Sequence, residues 1–168
     1  MKLLAQIAPA FLLVSCAGYH LGESKPASLK QVRTISVPMF ENLTLHPRAE
    51  AIATSAVAAA FIQDGSYRIG DREHSDAVLE GTLSEIKYSI IRGNRLNTLA
   101  PEELANTVTI KWVLRDAKNP IKILASGADT GTSQLFVSDN LQTAKNNALP
   151  EALQRAGVAL VSRLANGY

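Results

Sequence analysis

Cys16 is the only cysteine of the chain, and its thiol is the strongest nucleophile that the sequence offers. A lone thiol can attack a substrate, bind a metal or carry a covalent group, but it cannot close a disulfide within the chain. The other reactive side chains are scattered. His20, His46 and His74 fall in separate polar stretches, none at a zinc-ligand spacing. Asp71, Glu73, His74 and Asp76 come closest to a metal cluster, yet no matching ligands stand elsewhere, and the segment reads as an exposed loop. Gly65 to Gly70 imitates the glycine spacing of a phosphate-binding loop. There Asp71 and Arg72 take the places where Lys and Ser or Thr must meet phosphate and magnesium. No serine sits in a nucleophile elbow. The chain is therefore expected not to be an enzyme and to hold neither metal nor cofactor.

What remains is basic. Lys87, Arg92, Arg95, Lys111 and Arg115 gather around one long hairpin. Arginine pairs with phosphates and carboxylates through two parallel charge-assisted hydrogen bonds, so the set could hold an anion. Lysine and arginine on outward strand positions are also ordinary solvated residues that discourage edge-to-edge aggregation, and both readings stay open.

The surroundings of Cys16 favour a covalent lipid. Residues 1–16 read MKLLAQIAPAFLLVSC: one lysine, an apolar stretch, then small residues before the cysteine, the shape of a secretory signal. The stretch is too short for a hydrocarbon core of ~30 Å, which needs ~20 helical residues. Leu13-Val14-Ser15-Cys16 resembles the bacterial lipobox, in which the cysteine is acylated and becomes the mature N-terminus. Residues 1–15 are thus expected to be a lipoprotein signal peptide. Several acyl chains on one cysteine satisfy the two-signal requirement for stable attachment, so the protein is expected to be tethered rather than spanning. By resemblance to enterobacterial sorting rules, in which an aspartate at this position retains a lipoprotein at the inner membrane, Ala17 points to the outer one. Asn42-Leu43-Thr44 matches a glycosylation acceptor, which carries little weight in a bacterial lipoprotein.

The 168 residues suit a single domain. With 46% hydrophobic and 19% charged residues the mature chain should be globular. Of 17 basic and 15 acidic side chains only Lys2 lies before Cys16, so processing leaves the two signs nearly balanced. That balance argues against nucleic-acid binding through bulk charge.

Several elements must position these groups. Residues 16–30 are expected to form the lipidated N-terminus and a polar tether, and 31–168 one domain. Ile35, Val37 and Met39 alternate with polar residues as in a strand, with Pro38 marking an edge or an end. Ala49, Ile52, Ala53, Ala56, Val57, Ala60 and Phe61 form one helical face, with Thr44 or His46 as the expected cap, Pro47 in its first turn and Asp64-Gly65 as its stop. Tyr67–Gly70 reads as a short strand. From Ala77 to Arg92 a long strand slips parity, because Leu79 and Leu83 are odd whereas Ile86, Tyr88 and Ile90 are even. An extra residue near Ser84 and Glu85 is required there.

A polar connection, 93–103, leads to a strand at Thr107–Arg115 with Val108, Ile110, Trp112 and Leu114 inward. Ile121–Val137 is extended and interrupted by Gly127 and Gly131. A last helix carries the stripe Leu149, Ala152, Leu153, Ala156, Gly157, Leu160, Val161, Leu164, with Pro150 beginning or kinking it. The expected fold is α+β, two amphipathic helices packed on one face of a mainly antiparallel, about four-stranded sheet.

The segments Cys16-Ala-Gly-Tyr-His-Leu-Gly22, ISVPMFENLT followed by Arg48-Ala-Glu50, DGSYRI, SDAVLEGTL and LVSRLANGY, in this order after a lipobox, together resemble the LPS-assembly lipoprotein (LptE) family. The resemblance implies two helices on a four-stranded sheet. It implies a non-catalytic outer-membrane lipoprotein on the periplasmic face that plugs the β-barrel protein LptD and assists lipopolysaccharide transport and assembly. It further implies lipopolysaccharide contacts through basic residues on the sheet side, for which Arg92, Arg95, Lys87 and Lys111 are the candidates by position. The rivals are an auxiliary lipoprotein of another envelope lipid transporter, a purely structural lipoprotein, and a periplasmic hydrolase.

Overall fold

A computed structural model describes residues 25–93, 101–137 and 140–167. Cys16 and Arg95 lie outside the described residues. After a single 3₁₀ turn at Ala27–Leu29 come β1 (Thr34–Ser36), β2 (Glu41–Asn42), α1 (Ala49–Asp64), β3 (Arg68–Ile69), β4 (Ala77–Gly93), β5 (Pro101–Asp116), β6 (Ile123–Phe136) and α2 (Leu141–Asn166). Leu29, inside the segment read as tether, is already fully buried in the core.

The fold is α+β with two helices, but the sheet has six strands and is mixed, which corrects the expected four-stranded, mainly antiparallel one. Its order is β3-β1-β4-β5-β6, with β2 also alongside β4. β4–β5 and β5–β6 are antiparallel hairpin pairs. β1 runs parallel to both β3 and β4, and β2 parallel to β4. The cause is α1: a helix between two strands returns the chain to its starting end, so β1 and β3 must point the same way. Between β1 and β2 the chain leaves β4 around Pro38, whose ring nitrogen cannot donate to a ladder.

The register of β4 against β5 shifts between Leu83 and Glu85, where the parity slip required an extra residue. Odd residues before the shift and even ones after it therefore keep facing the helices. β5 starts at Pro101, inside the stretch expected to be a polar connection, and pairs Glu103 with Arg92 and Leu104 with Ile90. β6 is continuous through Gly127 and Gly131 rather than interrupted.

α1 has the expected apolar face, with Ala49, Ala53, Val57, Ala60 and Phe61 buried. Its start differs from expectation. Arg48, in the left-handed region at φ 65°, occupies the N-cap without a side-chain bond, and Pro47 precedes the helix. Thr44 and His46 do not cap it; the loop is held by Asn42, whose Nδ2 donates to His46 O and Glu50 Oε2, both at 2.8 Å. Gly65, at φ 76°, ends the helix by donating to Phe61 O.

α2 buries the whole expected stripe. It begins well before Pro150, capped by Asn140, whose side chain accepts from the Thr143 amide at 3.1 Å. At Gly157 a Cβ would sit 3.3 Å from the α1 backbone at Ala56 and Val57, so this glycine lets the helices meet closely. Both helices lie on one sheet face, over Leu79, Leu83, Val108, Ile110 and Leu114. No described helix is long and apolar enough to cross a membrane.

Candidate functional site

The sheet face opposite the helices carries the basic residues. Register fixes the arrangement: Arg92 stands opposite Glu103, Lys87 opposite Thr107, Lys111 opposite Thr82 and Arg115 opposite Val78. These β5 positions recur every fourth residue, so at ~3.3 Å per residue the cations form a line with steps of roughly 13 Å. That spacing exceeds the Debye length of ~8 Å at physiological salt, so each acts as a separate anion contact rather than as part of one chelating pocket.

The four differ in what they already hold. Arg92 pairs with Glu103 at 2.9 Å, and Arg115 Nε pairs with Glu80 at 2.8 Å while its Nη1 donates to Pro120 O at 3.2 Å. Lys87 and Lys111 are exposed and, among the described residues, have no hydrogen-bond or ion-pair partner. Beside Lys111 the face dips into a shallow hollow of about 420 Å³ bordered by Thr82, Val113, Ser126 and Ala128. Between Lys87 and Lys111 runs a row of threonines, with Thr107 and Thr132 hydroxyls 3.3 Å apart. This is an open, weakly contoured surface of hydroxyls and ammonium groups that suits a long polyanion better than a small one.

The acidic candidates do not converge. Asp71 accepts from the His74 amide and ring nitrogen at 2.8 Å, and that amide bond leads the causes that hold its carboxyl below the usual carboxylate range. Asp76 turns away, accepting from the Arg33 and Thr34 amides at 2.9 and 3.0 Å, which lower its pKa likewise. Among the described residues no three His, Cys, Asp or Glu side chains are grouped to hold a metal ion.

Two polar clusters on the helix side escaped the sequence reading. Asp129, 4% exposed, accepts from Trp112 Nε1 at 2.7 Å and from Arg163 Nη2 at 2.7 Å and Nε at 3.0 Å. The carboxylate in turn holds the Arg163 guanidinium above its ordinary pKa. Nearer the hairpin tip, Ser133 donates to Ala148 O of α2 at 2.7 Å, and the neighbouring Asn106 is fully buried with neither side-chain polar atom bonded among the described residues. The available signal was parity: Asn106 shares the even phase of Val108, Ile110, Trp112 and Leu114.

No protein-family model and no curated protein matches the chain. Solved structures do. A PelC dodecamer from Paraburkholderia phytofirmans is 19% identical with a TM-score of 0.53, covering 80% of this chain and 90% of that one. A putative lipoprotein from Caulobacter crescentus is 17% identical with a TM-score of 0.51, covering 77% and 89%. A minor lipoprotein from Acinetobacter baumannii is 8% identical with a TM-score of 0.55, covering 81% and 94%. At these identities the likeness shows the fold alone, and it is a fold found among bacterial lipoproteins.

Proposed function

We propose that the protein is a lipid-anchored, non-catalytic component of lipopolysaccharide transport and assembly, acylated at Cys16 and held at the periplasmic face of the outer membrane. In this reading it serves as plug and assembly partner of the β-barrel LptD and needs no cofactor beyond the covalent lipid. The observation that carries the reading is the open sheet face, where Lys87 and Lys111 stand exposed and unpaired in line with Arg92 and Arg115. A surface of regularly spaced cations suits the phosphates and core-sugar carboxylates of a lipopolysaccharide. The lipobox and the ordered LptE-like segments point the same way.

A second reading is an auxiliary lipoprotein of another envelope transporter, with which a fold found among bacterial lipoproteins is equally compatible. One experiment separates the two. The acylated protein is isolated by affinity in mild detergent and its companions are identified. A large outer-membrane barrel with lipopolysaccharide supports the first reading, an inner-membrane ATPase complex supports the second, and neither companion leaves a structural lipoprotein.

A further inference from the structure

The helix side of the sheet holds two apolar clusters, not one. Beyond the main core, Leu104, Leu135 and Ala148 form a small satellite, edged by Tyr88, Leu141 and Ala144. Pairing places Ile90, Leu104 and Leu135 in one row toward the hairpin tip, and Tyr88, Asn106 and Ser133 in the next. The satellite is thus divided from the main core by a polar row, and Asn106 in that row is fully buried with no hydrogen-bond partner for its side-chain amide among the described residues. Such a group destabilises the closed arrangement, because its desolvation is not offset by any bond.

The cover of the satellite is the first part of α2, Leu141–Ala148, and Pro150 follows directly on Leu149, the first residue of this helix that packs in the main core. Proline supplies no amide for the Asn146 carbonyl, so the helical ladder is interrupted at that point. Ile90 and Phe136, 60% and 69% exposed, stand at the margin. Lys145 on the cover lies 4.7 Å from the centre of the Tyr88 ring.

We propose that Leu141–Ala148 is a flap hinged at Leu149-Pro150 over a crevice that takes one acyl chain of an anionic amphiphile. Leu104, Leu135 and Tyr88 line the chain, the Asn106 amide donates to the ester or amide carbonyl that links chain to headgroup, and Lys145 leaves Tyr88 to meet the anionic head. A single ligand of this kind would satisfy each oddity of the site: the unbonded buried amide, the separate small cluster, the proline at the seam and the cation at the mouth. The inference deepens the glycolipid reading by naming the part of the ligand gripped on the helix side, and rests on that reading only for the identity of the amphiphile.

The test uses the acylated protein in phosphatidylcholine nanodiscs, with lauroyl lysophosphatidic acid, lauroyl lysophosphatidylcholine and glycerol phosphate as probes. Amide hydrogen exchange should show Ala144–Ala148 opening at least tenfold faster than Leu153–Val161, with protection of the flap by the lysophosphatidic acid alone. Asn106→Leu should raise the melting temperature and weaken binding about tenfold, roughly the weight of one net hydrogen bond. Where leucine is too large to fold, Asn106→Ala should still weaken binding. Lys145→Ala should abolish the preference for phosphate over choline. Equal exchange along α2, flap exchange unaffected by lysophosphatidic acid, or unchanged binding by the Asn106 variants would overturn the proposal. Because no barrel protein is present, such a failure is distinct from failure to isolate a barrel.

Discussion

Gly131 of β6 lies so close beneath Ala152 of α2 that a Cβ at position 131 would overlap the Ala152 carbonyl oxygen. The contact is backbone on backbone, with the Ala156 amide of the same helical turn beside that carbonyl, so no side chain can swing away to make room. Gly131→Ala should therefore push α2 off the sheet and cost about 1–3 kcal/mol, the range for overpacking a core. Gly65→Ala is the comparison: nothing lies within 4 Å of the added atom, and only the positive φ of 76° opposes it. Urea melts of the two variants should rank Gly131→Ala as the more damaging, and the reverse order would show that the helix has freedom to shift.

The Asp129 cluster predicts an asymmetry between its partners. Arg163→Ala leaves a carboxylate only 4% exposed without its cation, a loss that solvent around the half-exposed guanidinium holds below the about 3–5 kcal/mol of a fully buried pair but above that of a surface one. Asp129→Ala orphans the Trp112 indole N–H, at about 1–3 kcal/mol, while Arg163, 45% exposed, turns to water. The arginine variant should thus unfold first. Equal midpoints in denaturant would mean that Asp129 finds water once Arg163 is gone.

What was legible in the sequence was periodicity that extended over several residues. The slip of parity between Leu83 and Ile86 announced the shift at Glu85, and the stripe from Leu149 to Leu164 announced the buried face of α2. Strand β3 falls inside Tyr67–Gly70, read as a short strand, whereas β2, two residues long, shows no period; the parallel pairing of both is imposed by the α1 crossover rather than by local pattern. The start of β5 was hidden because Glu103 and Asn106 are polar at buried positions, which mimics a loop. Gly127 and Gly131 read as interruptions because a missing side chain carries no mark of what presses on it; Trp112 and α2 do. The basic line on the open face was legible as residue types, whereas which of its members are already neutralised depended on Glu80 and Glu103 across the ladder.

Tyr67 gives a pH prediction at the alkaline end. Its hydroxyl donates to Leu164 O at 2.8 Å, and burial, with Asp64 adding, raises its pKa to about 12 from the ordinary ~10. The folded state holds this proton more tightly than the unfolded chain. The contribution is therefore complete below about pH 10 and is lost between about pH 10 and about pH 12. Tyr67→Phe should be less stable than the parent at pH 8 and should lose less stability across that interval. Parallel stability curves for the two proteins would remove Tyr67 as the source of alkaline sensitivity.

The two unpaired lysines are the sharpest test of the open face. Lys87→Ala and Lys111→Ala should each weaken binding of lipopolysaccharide severalfold, because each removes a charge-assisted contact that no carboxylate already occupies. Their effects should add, since their separation of roughly 13 Å exceeds both the screening length and the range of ordinary coupling. Arg92→Ala should matter less, because Glu103 already holds that guanidinium at 2.9 Å and its removal leaves a carboxylate that repels the same ligand only at the far end of the line. Lys87 and Lys111 are exposed and hold no carboxylate, so the melting midpoints of those two variants should stay within about 0.5 kcal/mol of the parent, and a change in their binding cannot then be a change in folding. Titration at two salt concentrations completes the check: the double variant should show a shallower salt dependence than the parent. A double variant that binds as tightly as the parent would exclude this face as the site of anion recognition.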